Sequence, residues 1–194
     1  MQGAADVSDL ILLQRAGAGD RAAFAVVVER HRSGVYRYAR SLCHTAEEAE
    51  DVFQETFVQA LRGASTFAGG STRSWLLTIA RRSLLRMRRL RVGEPSQLEP
   101  LESLGAKAGW GDPEGPKTLA RIIEDRDLHD KAFRCLEETD REVLIACDVE
   151  GLSGAEACAL LDMSQSALKS RLHRARLRLA AAAREVVELE DRHD

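Results

Sequence analysis

The sequence predicts an all-α protein built as two small helical domains, residues 1–91 and 119–194, joined by a flexible linker over 92–118. Three observations predict it. Apolar residues recur at spacings of three and four on both sides of the linker, the period of an α-helix with one buried face. β-Branched residues never alternate with polar ones over a useful length, so strand signals are missing. All four prolines, Pro95, Pro100, Pro113 and Pro116, fall between Val92 and Thr118 beside five glycines, Gly93, Gly105, Gly109, Gly111 and Gly115, where neither a regular helix nor a strand can persist.

Taken in order, a short first helix is expected from about Ser8 to Ala16. Asp20 follows a Gly17-Ala18-Gly19 turn and caps a second helix whose apolar positions are Phe24, Val27, Val28, Val35, Tyr38, Ala39 and Leu42. Thr45 and Glu48 have capping-box spacing and open a third helix that runs to about Arg62. On it Glu47, Glu48, Asp51, Gln54 and Glu55 share one face, with Ala49, Val52, Phe53, Thr56, Phe57 and Ala60 on the other. No Lys or Arg occurs between positions 41 and 61. Such a face repels DNA and suits a protein partner with basic or hydrogen-bonding groups.

A fourth helix, about Arg73 to Arg91, has Leu76, Ile79, Ser83, Met87 and Leu90 on its expected inner face. Arg73, Arg81, Arg82, Arg86, Arg88, Arg89 and Arg91 populate it without an intervening acid. Cations at this density repel one another and gain from a polyanion. The preceding loop, Phe67 to Thr72, and Trp75 add aromatic rings that suit unstacked bases, although Phe67 and Trp75 also read as anchors of the loop.

The linker is acidic, and as a coil it spans about 30 Å, enough for the halves to act on separated sites. Beyond it a helix is expected around Leu119 to Leu136. Thr139 with Glu142 and Ser153 with Glu156 repeat the capping-box spacing, and Ser164 caps the last long helix. The expected helices are Asp140 to Asp148, Gly154 to Leu161 and Gln165 to about Val187.

Ser153 to Arg178 reads as a helix-turn-helix with a basic second helix. Its inner face carries Leu168, Leu172, Ala175 and Leu179, while Ser166, Lys169, Ser170, His173 and Arg174 point away. Arg171, Arg174, Arg176 and Arg178 are assigned to phosphates, which fix register, and the outward donors to base edges.

Composition limits the rest. The chain has 194 residues and a formal net charge of -3, which excludes a histone-like polycation. There is no run of about 18 apolar residues to span a membrane and no signal-peptide pattern at the N-terminus, so a cytoplasmic protein is expected. Cys43, Cys135, Cys147 and Cys158 lie far apart, without zinc-site spacing, and are expected as buried reduced thiols. No catalytic constellation, cofactor motif or metal site is expected.

Together the motifs identify a family resemblance. Ala49-Glu50-Asp51-Val52-Phe53-Gln54-Glu55-Thr56-Phe57, Trp75-Leu76, Ile79-Ala80-Arg81, Arg141-Glu142-Val143-Leu144, Glu150-Gly151-Leu152-Ser153 and Lys169-Ser170-Arg171-Leu172-His173-Arg174-Ala175-Arg176 resemble the extracytoplasmic-function (ECF) sigma factors of bacterial RNA polymerase. The resemblance covers both halves and skips the linker. It implies a region-two-like four-helix domain whose Asp51, Gln54 and Glu55 dock on the clamp helices of the largest subunit of core RNA polymerase. Ser71, Arg73, Trp75, Arg81 and Arg82 would then capture and melt the upstream edge of the promoter bubble. The C-terminal half resembles region four, with Gln165, Ser166, Lys169, Ser170, Arg171, His173 and Arg174 at the upstream element of promoter DNA. The linker would thread the polymerase cleft, and an anti-sigma factor would hold the free protein inactive. Where many members carry Asn and Asp in the fourth helix, this chain has Arg82 and Arg86. The competing readings are a DNA-binding regulator that acts without polymerase and a helical interaction module without nucleic acid.

Overall fold

The structure, a computed structural model, describes residues 7–89 and 131–190. The chain divides into two compact units, Met1–Gly93 and Glu94–Asp194. The expected linker, the ends of the two domains beside it, Leu90, Arg91 and most of the helix expected over 119–136 lie outside the described residues.

The first unit contains α1 (Asp9–Gly17), α2 (Arg21–Leu42), α3 (Ala46–Gly63), a 3₁₀ turn (Ala64–Thr66) and α4 (Thr72–Arg89). Each helix starts where a short polar side chain accepts an orphan N–H. Asp20 accepts from Ala23 N–H at 3.0 Å and Thr45 from Glu48 N–H at 3.1 Å. Glu48 returns the favour one residue upstream, accepting from His44 N–H at 3.0 Å. Leu13, Val27, Tyr38, Leu42, Leu76 and Leu77 are fully buried where the four helices converge. α1 packs on the 3₁₀ turn so closely that a Cβ at Gly17 would lie 2.8 Å from the Ser65 backbone, which only glycine permits.

The inner face of α4 is Leu76, Leu77, Ala80, Ser83 and Leu84, with Ile79 and Met87 only half-buried. This corrects the expected Leu76, Ile79, Ser83, Met87 and Leu90 line. The helix is rotated because α2 and α3 cover it from two sides, so a broader stripe than one 3.6-period row is buried.

An ion cluster fastens α1 to the middle of α2. Arg30 Nη1 donates to Asp9 Oδ1 and to the Val7 carbonyl, both at 2.7 Å, and His31 Nε2 lies 2.6 Å from Asp9 Oδ2. Burial raises the Asp9 carboxyl, but the hydrogen bonds from His31 and Arg30 outweigh it and hold the group below its ordinary range. A depressed folded-state pKa contributes stability that is fully present above the unfolded value of about 4 and is lost as pH falls through the folded one. Asp9→Asn is therefore expected to flatten the stability-versus-pH curve of acid unfolding below about pH 4. A curve parallel to wild type there would refute this role.

The second unit has helical backbone at 131–134, α5 (Glu138–Leu144), a π-helical turn (Ile145–Val149) that continues α5, α6 (Gly154–Leu161) and α7 (Gln165–Glu190). The helix expected over Asp140 to Asp148 is thus one continuous run that is α-helical to Leu144 and π-helical from Ile145. Glu150 N–H reaches back to the Ile145 carbonyl at 2.8 Å and Leu152 N–H to Ala146 at 2.9 Å, which widens the last turn before the left-handed Gly151. The Thr139–Glu142 capping box is also corrected. α5 begins at Glu138 behind Glu137, which makes no side-chain cap, and the Thr139 hydroxyl accepts from Arg171 instead. Ser153 and Glu156 do form a full capping box. Between α6 and α7 the chain turns through Asp162 at φ 56°, a left-handed conformation that Asp tolerates better than most side chains. Leu136, Leu144 and Ala175 form one buried cluster, and Ala132, Ala182, Ala183 and Val187 a second.

The expectation of four buried thiols holds for Cys43 alone; Cys135 is exposed, and Cys147 and Cys158 are half-buried. Burial pushes the Cys43 thiol up to about 11, against the pull of Arg88. Because the thiolate is the nucleophile, an alkylating reagent at pH 8 should label Cys135 first and Cys43 only after denaturation. Equal labelling rates by mass spectrometry would contradict this.

Candidate functional site

On α3 the outward line at about 100° per residue runs through Glu47, Asp51, Gln54, Val58 and Leu61, all exposed. Asp51 and Gln54 sit at its centre. Glu55 lies to one side, half-buried, where Gln59 Nε2 donates to its Oε1 at 2.7 Å and Arg86 Nη1 stands 3.6 Å away. Val58 and Leu61, 44% and 40% exposed, continue the acidic stripe as an apolar end. Sorting by charge misses them, although their i+4 and i+7 spacing from Gln54 places them on the same line. The other face is tied down by a T-shaped aromatic pair, Phe53 and Phe57, at 5.1 Å.

The loop before α4 turns through Gly69 at φ 108° and Gly70 at φ 93°, which L side chains rarely adopt. Ser71 then caps α4, accepting from Ser74 N–H at 3.1 Å. Phe67 is buried, and its ring lies 4.9 Å from that of the half-buried Trp75; Phe67 is an anchor of the loop, and Trp75 leans on it. Along α4, Trp75, Ile79, Arg82 and Arg86 fall within about 60° of one another, while Arg88 turns towards α2. Arg73, Arg82 and Arg86 are exposed and Arg81 is half-buried. Arg88 Nη2 donates to the Leu42 carbonyl at 2.5 Å, placing a cation at the negative end of α2. That arginine serves the fold.

On α7, Ser164 caps the helix by accepting from Ala167 N–H at 3.2 Å, and its hydroxyl lies 3.1 Å from that of Ser166. Gln165, Ser166, Lys169, Ser170 and His173 are exposed and Arg174 is half-buried. Three arginines assigned to phosphates are directed elsewhere. Arg176 makes a bidentate pair with Asp148, Nε at 3.0 Å and Nη2 at 2.6 Å, which raises its pKa further. Arg178, with a side chain 12% exposed, pairs with the fully buried Asp140. Arg171 Nη1 donates to Thr139 Oγ1 at 2.5 Å and stands 3.7 Å from Asp140 Oδ1. The outward arc of α7 is therefore Ser166, Lys169, Ser170 and His173, with Arg174 at its edge.

Comparison with known proteins assigns both units. Residues 27–92 match the model of Sigma-70 region 2, and residues 128–179 that of Sigma-70, region 4. The chain is 32% identical over 175 residues to the ECF RNA polymerase sigma factor SigM of Mycobacterium tuberculosis, covering 89% of this chain and 83% of that protein. It is 32% identical over 180 residues to the RNA polymerase sigma factor CnrH of Cupriavidus metallidurans, covering 90% of this chain and 93% of that protein. A solved structure of CnrH in complex with the cytosolic domain of CnrY matches with a TM-score of 0.60 and 27% identity, over 89% of this chain and 95% of the other. The chain belongs to the ECF sigma factors of bacterial RNA polymerase, the initiation factors that bind core polymerase and direct promoter recognition and opening.

Proposed function

We propose that Asp51 and Gln54, flanked by Glu55 and extended by Val58 and Leu61, form the contact with the clamp helices of the largest polymerase subunit. The observation that carries this reading is the segregation of charge: an exposed acidic line on α3, in a stretch without Lys or Arg, set in the same unit as an arginine-rich α4. A line of this sign rejects DNA and accepts a basic protein groove. Ser71, Arg73, Trp75, Arg81 and Arg82 then serve the upstream edge of the melted bubble, where cations and an aromatic edge offset the stacking that an extruded base loses. Gln165, Ser166, Lys169, Ser170, His173 and Arg174 meet the upstream promoter element in the manner of a helix-turn-helix.

As a transcription initiation factor by family, the protein works in the cytoplasm and carries no catalysis of its own. An anti-sigma factor covers it when it is idle, a reading supported by the solved complex of CnrH with the cytosolic domain of CnrY. The test is a Lys169→Ala, Arg174→Ala double variant. Holoenzyme containing it should keep core affinity and lose promoter opening by about tenfold or more. Opening at the wild-type level would reject the assignment of α7.

A further inference from the structure

The second unit holds a buried carboxylate that none of the contacts above requires. Asp140, in the first turn of α5, is fully buried and is approached by two guanidinium groups from α7, those of Arg178 and Arg171, while Thr139 beside it accepts from Arg171. Positions 171 and 178 are two turns apart, within about 20° of each other on the helix wheel. They flank the buried line of Leu168 and Ala175, about 40–80° from those two on the wheel. Apolar side chains on such a line pack without desolvating charge, and replacing buried ion pairs by them is often neutral or stabilising. What the ion pairs add is direction.

An apolar contact tolerates rotation of α7 about its axis. The Arg178 hydrogen bond to Asp140, and the Arg171 hydrogen bond to Thr139 with its guanidinium 3.7 Å from Asp140 Oδ1, do not, because a hydrogen bond fixes both distance and angle and the buried carboxylate draws both cations to one place. The outward residues Lys169, Ser170 and His173 sit on the same turns as Arg171. A rotation of about 20° moves a side-chain tip roughly 6 Å from the axis by about 2 Å, enough to break a base contact that needs 2.7–3.2 Å.

We propose that Asp140 is a positioning residue for promoter reading: by holding Arg171 and Arg178 it fixes the rotation of α7 and so decides which bases Lys169, Ser170 and His173 reach. Arg171 acts through Asp140 and Thr139 and not as a phosphate contact. The inference rests on the assignment of α7 to the upstream element.

The experiment selects DNA from a random duplex library with reconstituted holoenzyme, wild type against Arg171→Gln and Asp140→Asn. The affinity for the best site and for single-substituted sites is then compared, together with the salt dependence. Wild type should discriminate against a single substitution by about 5-fold or more. Arg171→Gln should reduce that ratio at least about 3-fold with the salt slope unchanged, because no phosphate contact is lost. A uniform weakening across all sequences, with the slope reduced by about one, would overturn the proposal and make Arg171 an ordinary phosphate contact. Asp140→Asn should lose discrimination as Arg171→Gln does; wild-type discrimination in a folded Asp140→Asn protein also overturns it. Circular dichroism establishes folding, and if Asp140→Asn does not fold, Arg171→Gln alone decides. A wild-type holoenzyme that selects no upstream sequence would instead refute the assignment of α7 itself.

Discussion

Replacing Asp51 with arginine is expected to weaken binding to core polymerase by about 100-fold or more, since like charges brought together at an interface cost several kcal/mol. Asp51 is exposed at the centre of the outward line of α3, and the residues that bury the helix, Ala49, Val52, Thr56, Phe57 and Ala60, are untouched. Surface changes of this kind shift stability by no more than about 0.5 kcal/mol, so the melting curve should stay close to wild type. Titration of labelled protein with core polymerase measures the effect. Glu55→Lys is a less clean probe, because Glu55 also accepts from Gln59 and faces Arg86. Undiminished core affinity in Asp51→Arg would remove α3 from the interface.

Leu76→Ala should destabilise the first unit by about 2–5 kcal/mol, the usual range for truncating a buried leucine. Leu76 is fully buried on the face of α4 that meets α2 and α3. Leu77, Ala80 and Leu84 share that buried face, and the Arg88 bond to the Leu42 carbonyl is the polar tie described above. The cations of α4 repel one another, and its ion pair to α3, Arg86 with Glu55, is solvent-exposed and of a kind that contributes about 0–1 kcal/mol. Against a total of about 5–15 kcal/mol for a domain, the loss should lower the melting temperature of this unit by about 10–20 °C. Thermal unfolding followed by circular dichroism reads it. A loss below about 1 kcal/mol would mean that polar contacts, and not the apolar core, keep α4 in place.

Much of this was legible in the residues because helices announce themselves locally. Asp20, Thr45, Ser153 and Ser164 all cap the helices expected of them, since capping needs only one short polar side chain and the next three residues. The outward placement of Asp51, Gln54, Lys169, Ser170 and His173 follows from helical period in the same way.

The parts that were not legible depend on distant partners. Arg171, Arg176 and Arg178 are indistinguishable from DNA-seeking arginines until folding brings Thr139, Asp148 and Asp140 to them from 32, 28 and 38 residues away. The wheel carries a hint, because Arg171 and Arg178 flank the line of Leu168 and Ala175 and do not lie opposite it. Thr139 has the spacing of a cap, but its hydroxyl is occupied by Arg171. The rotation of α4 was likewise set by two neighbours at once, which no single-helix pattern encodes.

The most direct measurement is transcription in vitro with purified core polymerase and this protein on a pool of promoter fragments. The expected result is initiation from a defined subset of fragments only when both components are present, lost with Asp51→Arg and with the Lys169→Ala, Arg174→Ala variant. Transcription that is the same with and without the protein would contradict it.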